Sequence, residues 1–389
     1  MKEFPTLQSF TVLLTLIFSL YLTEGVRRFA IRFRIGDFPD SSRKIHKKVM
    51  PSLGGLAIFS SFYLGFGALY FLSEPVRNFY ESGFSLILLT AIPIIAIGIY
   101  DDIRGVNFTL KFSIQVLAAV SLMHFGDLRI EYISDPFSTQ SVFIPPFLSM
   151  PLTVLWLVGI CNAINLIDGL DGLAAGVSGI ASIALCVISL LTQDYVLALL
   201  FLLLSASIFG FLKHNYAPAS IFMGDTGALF IGYMLGALTI YYRHKSSAAI
   251  ALAVPIVILA IPIIDTLLAP IRRILSGKHP FKADKEHIHH RVMQIFKFSH
   301  RKTVLAIYGA SLFFSLGAIL IAYNKPGISA AVFIVILVAL LSSIIALGYL
   351  KPIADHLKLP TRLISSRRRE LRVMKKEENA PKKEAEILG

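Results

Sequence analysis

TVLAIYGASLFFSLGAILIAY, residues 303–323, contains no charged side chain, and residues 327–350 form a second run of the same kind. A helix of about 20 apolar residues is long enough to cross the hydrocarbon core of a bilayer. Comparable stretches recur along the chain and predict an all-α polytopic membrane protein with about 11 transmembrane helices. The predicted spans are 5–23, 53–72, 84–100, 110–125, 147–166, 173–191, 195–212, 226–242, 248–270, 303–323 and 328–350.

The composition leaves two classes of protein open, and the placement of charge separates them. Of the residues, 55% are hydrophobic and 16% are charged, and the net charge is +13. These values exclude an ordinary soluble enzyme and a disordered chain. With the N-terminus outside, 31 of the 37 Lys and Arg residues fall in the inner segments and the C-terminal tail. This positive-inside bias predicts a cytoplasmic C-terminus and argues against a nucleic-acid partner.

The chain divides into a membrane domain, residues 1–350, and a charged cytoplasmic tail, residues 351–389. The predicted cytoplasmic loops are 27–52, 100–111, 167–172, 213–225 and 271–302. Within the tail, 365–376 is basic enough for a helix on anionic lipid, and 377–386 is predicted to be disordered. Cys161 and Cys186 both lie in predicted spans, so the sequence supports no disulfide framework.

Acidic residues mark the inner ends of several predicted spans. Asp101 and Asp102 follow the third span, Asp168 and Asp171 follow the fifth, and Asp225 precedes the eighth. Any one of them alone is read as a helix cap or a solvated anchor. Five carboxylates on one face would repel each other unless a cation joins them, and a divalent metal with oxygen ligands is the natural partner.

Spacing refines the prediction for two of these groups. Asn165, Asp168 and Asp171 are three residues apart and would share one side of a continuing helix. The adjacent Asp101 and Asp102 are about 100° apart on a helix, so we expect one of them to face the site and the other to face a structural partner. Like charges so close raise the pKa of one carboxyl, which suits a proton acceptor.

The two longest inner loops supply cations and imidazoles. Residues 43–48 read RKIHKK, and residues 287–291 read HIHHR. For the second segment a zinc site, a solvated loop and a phosphate-binding cluster all remain open, and the surrounding Arg and Lys residues favour phosphate. Acidic residues that can bind a metal ion, together with basic residues that can bind phosphates, suit an enzyme of phosphoryl transfer. Because the chain lies in a membrane, one substrate is expected to be a lipid.

At these residues the sequence resembles the polyprenyl-phosphate N-acetylhexosamine-1-phosphate transferases. The resemblance rests on NxxDGxDG at 165–172, FMGDTG at 222–227, the Asp pair at 101–102 and the PxxGG turn at 51–55. The resemblance extends over about residues 43–291. Within the family, the segment PF at 280–281 followed by DKEHIHHR at 284–291 is similar to that of the WecA/TagO-type branch, which uses UDP-N-acetylglucosamine. The turn at 51–52 departs from the branch that uses the muramoyl-pentapeptide nucleotide.

The resemblance implies a catalytic role for the 1–350 domain and a role for each motif residue. Asp225 would be the principal Mg²⁺ ligand, with Mn²⁺ as the alternative ion, and Asn165 and Asp168 would lie beside the metal and nucleotide. Asp101 or Asp102 would take a proton or assist the metal. The residues expected to contact substrate are Lys47, Asn165, Asp168, Asp171, Phe222, His287, His289, His290 and Arg291. Phe222 would stack on the uracil, and Asp101, Asp102 and Asp168 form the expected catalytic set.

The implied reaction transfers N-acetylglucosamine 1-phosphate from UDP-GlcNAc to a polyprenyl phosphate such as undecaprenyl phosphate, releasing UMP. It would start lipid-linked glycan synthesis, of the lipopolysaccharide or teichoic acid kind, at the cytoplasmic face of the bacterial inner membrane. A homodimer is compatible with this assignment. The alternatives are the same chemistry on UDP-MurNAc-pentapeptide or another UDP-amino sugar, and an ion-coupled transporter built around Asp265 and the proline-broken ninth span.

Overall fold

The structure is a computed structural model that describes residues 6–37, 50–134, 141–245, 253–275 and 287–349. These residues form fourteen α-helices and two short antiparallel hairpins. The helices are α1 Thr6–Arg32, α2 Gly54–Leu72, α3 Glu74–Phe79, α4 Ser85–Arg104, α5 Phe108–Gly126, α6 Pro146–Ile167, α7 Leu173–Leu191, α8 Tyr195–Asn215, α9 Gly224–Lys245, α10 Ala253–Ile258, α11 Ala260–Leu275, α12 Ile288–Phe296, α13 His300–Tyr323 and α14 Pro326–Ala346. A π-helical turn, Tyr80–Phe84, joins α3 to α4. The hairpins are β1 Gly36–Asp37 with β2 Met50–Pro51, and β3 Tyr132–Ser134 with β4 Ser141–Phe143.

Nine helical segments in the described part of the chain are long and apolar enough to cross a membrane. They confirm the all-α polytopic membrane fold. The remaining two predicted spans fall on α9, which covers 226–242, and on α10 and α11, which divide the described part of 248–270. The total of eleven crossings and the orientation of the termini stay predictions.

Helix α9 lies at the centre of the bundle and packs against α2, α4 and α6. Its side chains are buried from Thr226 to Tyr241. A helix that contacts protein on all sides does not need a strongly lipophilic surface, and this position accounts for its polar and small residues. The N-terminus of α9 is therefore held by its neighbours at one end of the bundle.

Glycines allow the backbones to cross closely at that end. A Cβ at Gly55 of α2 would collide with the backbone of Gly227 in α9. A Cβ at Gly98 of α4 would lie 2.6 Å from the Cα of Thr226. Because real Cβ atoms do not approach backbone so closely, both positions require glycine for this packing.

The connections at this end are shorter than the sequence indicated. Helix α4 continues to Arg104 and α5 begins at Phe108, so most of the predicted loop 100–111 is helical. Helix α6 ends at Ile167, one residue past the predicted end of the fifth span, so Asn165, Asp168 and Asp171 do not lie on one continuous helix. Lys47, residues 278–286 and the tail 351–389 lie outside the described residues.

Candidate functional site

Asp225 is the second residue of α9, and groups from three other helices converge on its carboxylate. Its Oδ1 accepts a hydrogen bond of 2.9 Å from Nδ2 of Asn165, near the end of α6. Its Oδ2 lies 2.7 Å from Nζ of Lys111, in the first turn of α5. The same ammonium lies 3.1 Å from Oδ2 of Asp101, at the end of α4. One lysine thus offsets the repulsion between two carboxylates.

Asp102 makes a different set of contacts, all at the start of α9. Its Oδ1 accepts a 2.8 Å hydrogen bond from the backbone N of Asp225. Its Oδ2 accepts bonds from Thr226, of 3.1 Å from the backbone N and 2.6 Å from Oγ1. A helix N-terminus carries N–H groups without intrahelical acceptors, and Asp102 satisfies two of them from a neighbouring helix. Asp102 therefore fixes the backbone that presents Asp225.

Gly224 makes this cap sterically feasible. Its φ is +71°, in the left-handed region, and a Cβ at this position would collide with the carboxylate of Asp102. Any other residue would be strained there and would displace the cap.

Asp168 follows the last residue of α6 and is half-buried near other carboxylates. Loss of hydration raises the pKa of Asp168 to about 7, and the negative charges of Asp225, Asp102 and Asp171 act in the same direction. A carboxyl whose pKa is near neutral can exchange a proton at physiological pH. Asp168 is accordingly better suited to proton transfer than an ordinary aspartate.

Asp171 and Asn215 hold the connection between α6 and α7 in place. Oδ2 of Asp171 accepts a 2.9 Å hydrogen bond from the backbone N of Ala219. Oδ1 of Asn215 accepts one of 3.0 Å from Gly172 N, and its Nδ2 donates one of 2.9 Å to Ile221 O. These bonds join the 168–172 turn to the segment that precedes α9.

The turn at 51–55 is bonded to the same segment. The backbone N of Phe222 donates to Pro51 O at 2.9 Å, and Gly54 N donates to Phe222 O at 3.0 Å. Gly55 N donates to Met223 O at 2.8 Å. Two motifs separated by about 170 residues thus form one short backbone ladder that holds Phe222 at its position.

These elements enclose a polar cavity of about 500 Å³, a size suited to small-molecule binding. Seven predicted site residues line it: Asp101, Asp102, Asn165, Asp168, Asp171, Phe222 and Asp225. Three further polar lining residues were not among the predicted ones: Ser52, Asn215 and His300.

The imidazole segment lies beside this cavity, on α12 and the residue before it. His289 is 3% exposed, and its ring packs against Gly169, which lines the cavity. Burial lowers the pKa of His289 to about 4, with the neighbouring His290 adding to the effect. The ring is therefore neutral at pH 7. The ring of His290 lies 4.2 Å from that of His289.

His287 contacts α11, and Arg291 contacts residues that follow α14. Nδ1 of His287 is 3.1 Å from Oδ2 of Asp265 in α11. Nη1 of Arg291 donates a 2.8 Å hydrogen bond to Leu347 O, and its guanidinium lies 4.3 Å from the ring centre of Tyr349. The structure therefore brings His289 to the cavity wall and gives His287 and Arg291 contacts with protein.

Among the described residues, no group of three or more His, Cys, Asp or Glu side chains is arranged to hold a metal ion. The donors around Asp225 nevertheless suit Mg²⁺, because this ion is usually held by one or two carboxylates, with water and substrate phosphates completing its shell. The carboxylates of Asp101 and Asp225 already converge on a cation, Nζ of Lys111. The oxygen donors fit magnesium better than zinc.

The sequence did not predict the contacts that Lys111 and Asp265 make. Lys111 was counted as one loop cation, although it begins an otherwise apolar helix, and an ionisable residue in such a place is a functional signal. The sequence singled out Asp265 only for the transporter alternative, whereas the structure shows contacts with His287 and with the backbone N of Ile288.

Comparison with known proteins identifies a matching family and similar sequences. Residues 84–243 match the pattern of glycosyl transferase family 4. A Bacillus subtilis protein named probable undecaprenyl-phosphate N-acetylglucosaminyl 1-phosphate transferase is 42% identical over 86% of this chain and 90% of its own length. A Mycolicibacterium smegmatis decaprenyl-phosphate N-acetylglucosaminephosphotransferase is 34% identical over 85% and 86%. An Escherichia coli O157:H7 undecaprenyl-phosphate alpha-N-acetylglucosaminyl 1-phosphate transferase is 26% identical over 78% and 81%.

Proposed function

The chain belongs to glycosyl transferase family 4, in the branch of the N-acetylglucosamine-1-phosphate transferases, and we propose that it transfers N-acetylglucosamine 1-phosphate from UDP-GlcNAc to a polyprenyl phosphate. An oxygen of the lipid phosphate attacks the phosphorus that carries the sugar. The bond from that phosphorus to the UMP oxygen breaks, and UMP leaves. The product is a polyprenyl diphosphate that carries the sugar.

One observation supports this proposal most strongly: Asp101, Asn165 and Asp225, from three helices, line one polar cavity. Lys111, from a fourth helix, bridges the carboxylates of Asp101 and Asp225. A transfer between two anionic substrates requires cations where negative charge accumulates and little other chemistry from the protein. Lys111 is one such cation. Its contact with Asp225 places it where a phosphate oxygen would approach.

Mg²⁺, or Mn²⁺ in its place, would be held by Asp225 and Asn165 and would neutralise charge on the diphosphate. Lys111 then neutralises a second region of the phosphates, and its interaction with Asp101 holds the ammonium at the cavity. Asp102 keeps Asp225 in place through the N-terminus of α9. The segment 222–223, bonded to the 51–55 turn, presents the Phe222 ring for stacking on the uracil.

We assign the proton transfer to Asp168 instead of Asp101 or Asp102. Asp102 is bonded to α9 through both oxygens, and Asp101 is bonded to Lys111 and to the backbone N of Val106. The pKa of Asp168 is raised to about 7, so its ionised form accepts a proton from the lipid phosphate near neutral pH. The ionised lipid phosphate is the better nucleophile.

The remaining assignments follow from the proposed reaction. Lys47, His287, His289, His290 and Arg291 belong to the region that binds the nucleotide diphosphate and sugar, with Asp171 framing the cavity. The 1–350 domain carries the catalysis, and its active site faces the cytoplasm of the bacterial inner membrane, where nucleotide sugars are found. A homodimer is part of this proposal. The transporter alternative rested on Asp265, which is instead bonded to His287 and Ile288.

The test uses the purified full chain with UDP-GlcNAc, undecaprenyl phosphate and Mg²⁺, and measures UMP. We expect UMP from the wild type and a decrease of at least about 100-fold in Asp225→Asn, an isosteric change that removes the charge. Asp127→Asn, at the far end of α5, is the matched control and should retain wild-type activity. Absence of UMP with wild type, or equal rates for Asp225→Asn and wild type, contradicts the proposal. UDP-GalNAc and UDP-MurNAc-pentapeptide in the same assay identify the preferred donor.

A further inference from the structure

Asp265 is a buried carboxylate for which the proposed reaction provides no direct role. It lies in the middle of α11 and is 1% exposed. A carboxylate at such a site is costly unless its oxygens are paired. Oδ2 is 3.1 Å from His287 Nδ1, and Oδ1 accepts a 2.8 Å hydrogen bond from Ile288 N. The hydroxyl of Tyr349 lies 3.4 Å from the same Oδ1.

The contacts with His287 and Ile288 act at the start of α12. This helix has nine residues, which is too short to be stable without tertiary contacts. His287, at its N-cap position, makes no capping hydrogen bond with its own side chain. Asp265 supplies the missing acceptor from a neighbouring helix, and its negative charge favours the N-terminal end of the helix dipole.

The position of α12 matters because one face of it reaches the cavity. His289 packs against Gly169, in the turn between Asp168 and Asp171. Arg291 also holds the helix, because it is bonded to Leu347 O and lies over the ring of Tyr349. Tyr349 contacts both Asp265 and Arg291, so the residues that follow α14 complete the support.

We propose that Asp265 is a positioning residue for the nucleotide sugar: it holds His287 and caps α12, and so fixes the imidazole segment against the cavity. The proposal rests on the proposed function for its substrate. Asp265 does not touch the reacting atoms. Its loss should weaken binding of UDP-GlcNAc while leaving the lipid acceptor and the carboxylates around Asp225 largely unaffected.

The decisive variant is Asp265→Asn, which keeps the size of the side chain and removes its charge. We expect the KM for UDP-GlcNAc to rise about tenfold, as for loss of a hydrogen bond to a charged group. The KM for undecaprenyl phosphate should stay within about twofold. Asp194→Asn is the matched control, because Asp194 Oδ1 caps α8 by accepting from Leu197 N at 3.2 Å, at the other end of the bundle. It should change neither KM.

A measurement independent of activity separates this proposal from the proposed function. In hydrogen exchange, the amides of 288–292 should exchange faster in Asp265→Asn than in the wild type, while those of the α13 centre remain unchanged. If the wild type releases no UMP, the proposed function fails, and exchange still decides whether Asp265 fixes α12. Should Asp265→Asn not fold, His287→Ala tests the same bond and should also accelerate exchange in α12.

Two results would overturn the proposal. One is unchanged exchange across 288–292 in the folded variant. The other is a KM for UDP-GlcNAc that changes no more in Asp265→Asn than in Asp194→Asn, which would leave Asp265 with a purely structural role.

Discussion

Lys111 connects carboxylates from two helices that are far apart in sequence. Its ammonium lies within 3.1 Å of both Asp101 and Asp225, and its side chain is only 20% exposed. Two partly buried carboxylates without a cation would repel each other or bind protons. The lysine therefore serves the folded site before any substrate enters, and in the proposed reaction it also neutralises a phosphate oxygen.

Lys111→Met should lower the rate of UMP release by about 100-fold or more, because it removes a fixed positive charge from the site of charge development. Lys325→Met, an exposed lysine at the start of α14, is the control and should retain wild-type activity. The measurement is kcat at saturating UDP-GlcNAc and lipid. A Lys111→Met enzyme with more than about half of the wild-type kcat would contradict the role given to this residue.

Asp168 predicts the pH dependence of the reaction. Burial and neighbouring carboxylates raise its pKa to about 7. In the proposed reaction its ionised form is the proton acceptor. The rate should consequently fall as pH drops through about 7 and reach a plateau above it. Measurement of kcat from about pH 5 to about pH 9 shows this fall in rate at low pH, and the Asp168→Asn variant should lack the fall. If kcat of Asp168→Asn still falls below about pH 7 as in the wild type, the titrating group is another residue.

At the scale of the helices, the crossing of α2, α4 and α9 explains how the site is assembled. The backbones meet at Gly55, Gly98 and Gly227, and the start of α9 is brought against the carboxyl end of α4. Asp102 can reach the N-terminus of α9 only because these helices are so close. The geometry of the site therefore depends directly on the close packing of these three helices.

Gly55→Ala tests this dependence against a second glycine of the same helix. A methyl group at Gly55 would collide with the backbone of Gly227, whereas nothing lies within 4 Å of a Cβ at Gly67. We expect Gly55→Ala to lose about 3 kcal/mol or more of stability. Gly67→Ala should be neutral or gain up to about 1 kcal/mol from helix propensity. Thermal unfolding of the purified variants measures both, and equal midpoints would disprove the crossing.

Apolar runs were sufficient to predict most helices, because a span in lipid must be long and lipophilic. The prediction was least accurate at helix ends, where this requirement does not apply. Helix α4, for example, extends past the apolar stretch to Arg104. Helix ends depend on capping contacts with other helices, such as that of Asp102, which hydropathy does not encode.

For the whole molecule, the sequence predicted that the acidic residues lie together at one end of the bundle but not which side chains pair within the site. Asp101, Asp168 and Asp225 were placed on one face by counting spans, and the structure places all three at one cavity. The contact of Lys111 with Asp225 and that of Asp265 with His287 depend on how α5, α9, α11 and α12 pack. Distances of that kind arise from tertiary packing between residues remote in sequence.

Charge placement predicts the orientation of the whole bundle, and single cysteines test it. The native Cys161 and Cys186 are 1% and 5% exposed, so their background labelling should be low. Asn78→Cys, in α3, should react with a membrane-impermeant maleimide in intact cells, because the predicted topology places it outside. Gln294→Cys, in α12 beside the site, should react only after permeabilisation. The reverse pattern would put most Lys and Arg residues outside, against the positive-inside rule, and would remove the site from the compartment that holds nucleotide sugars.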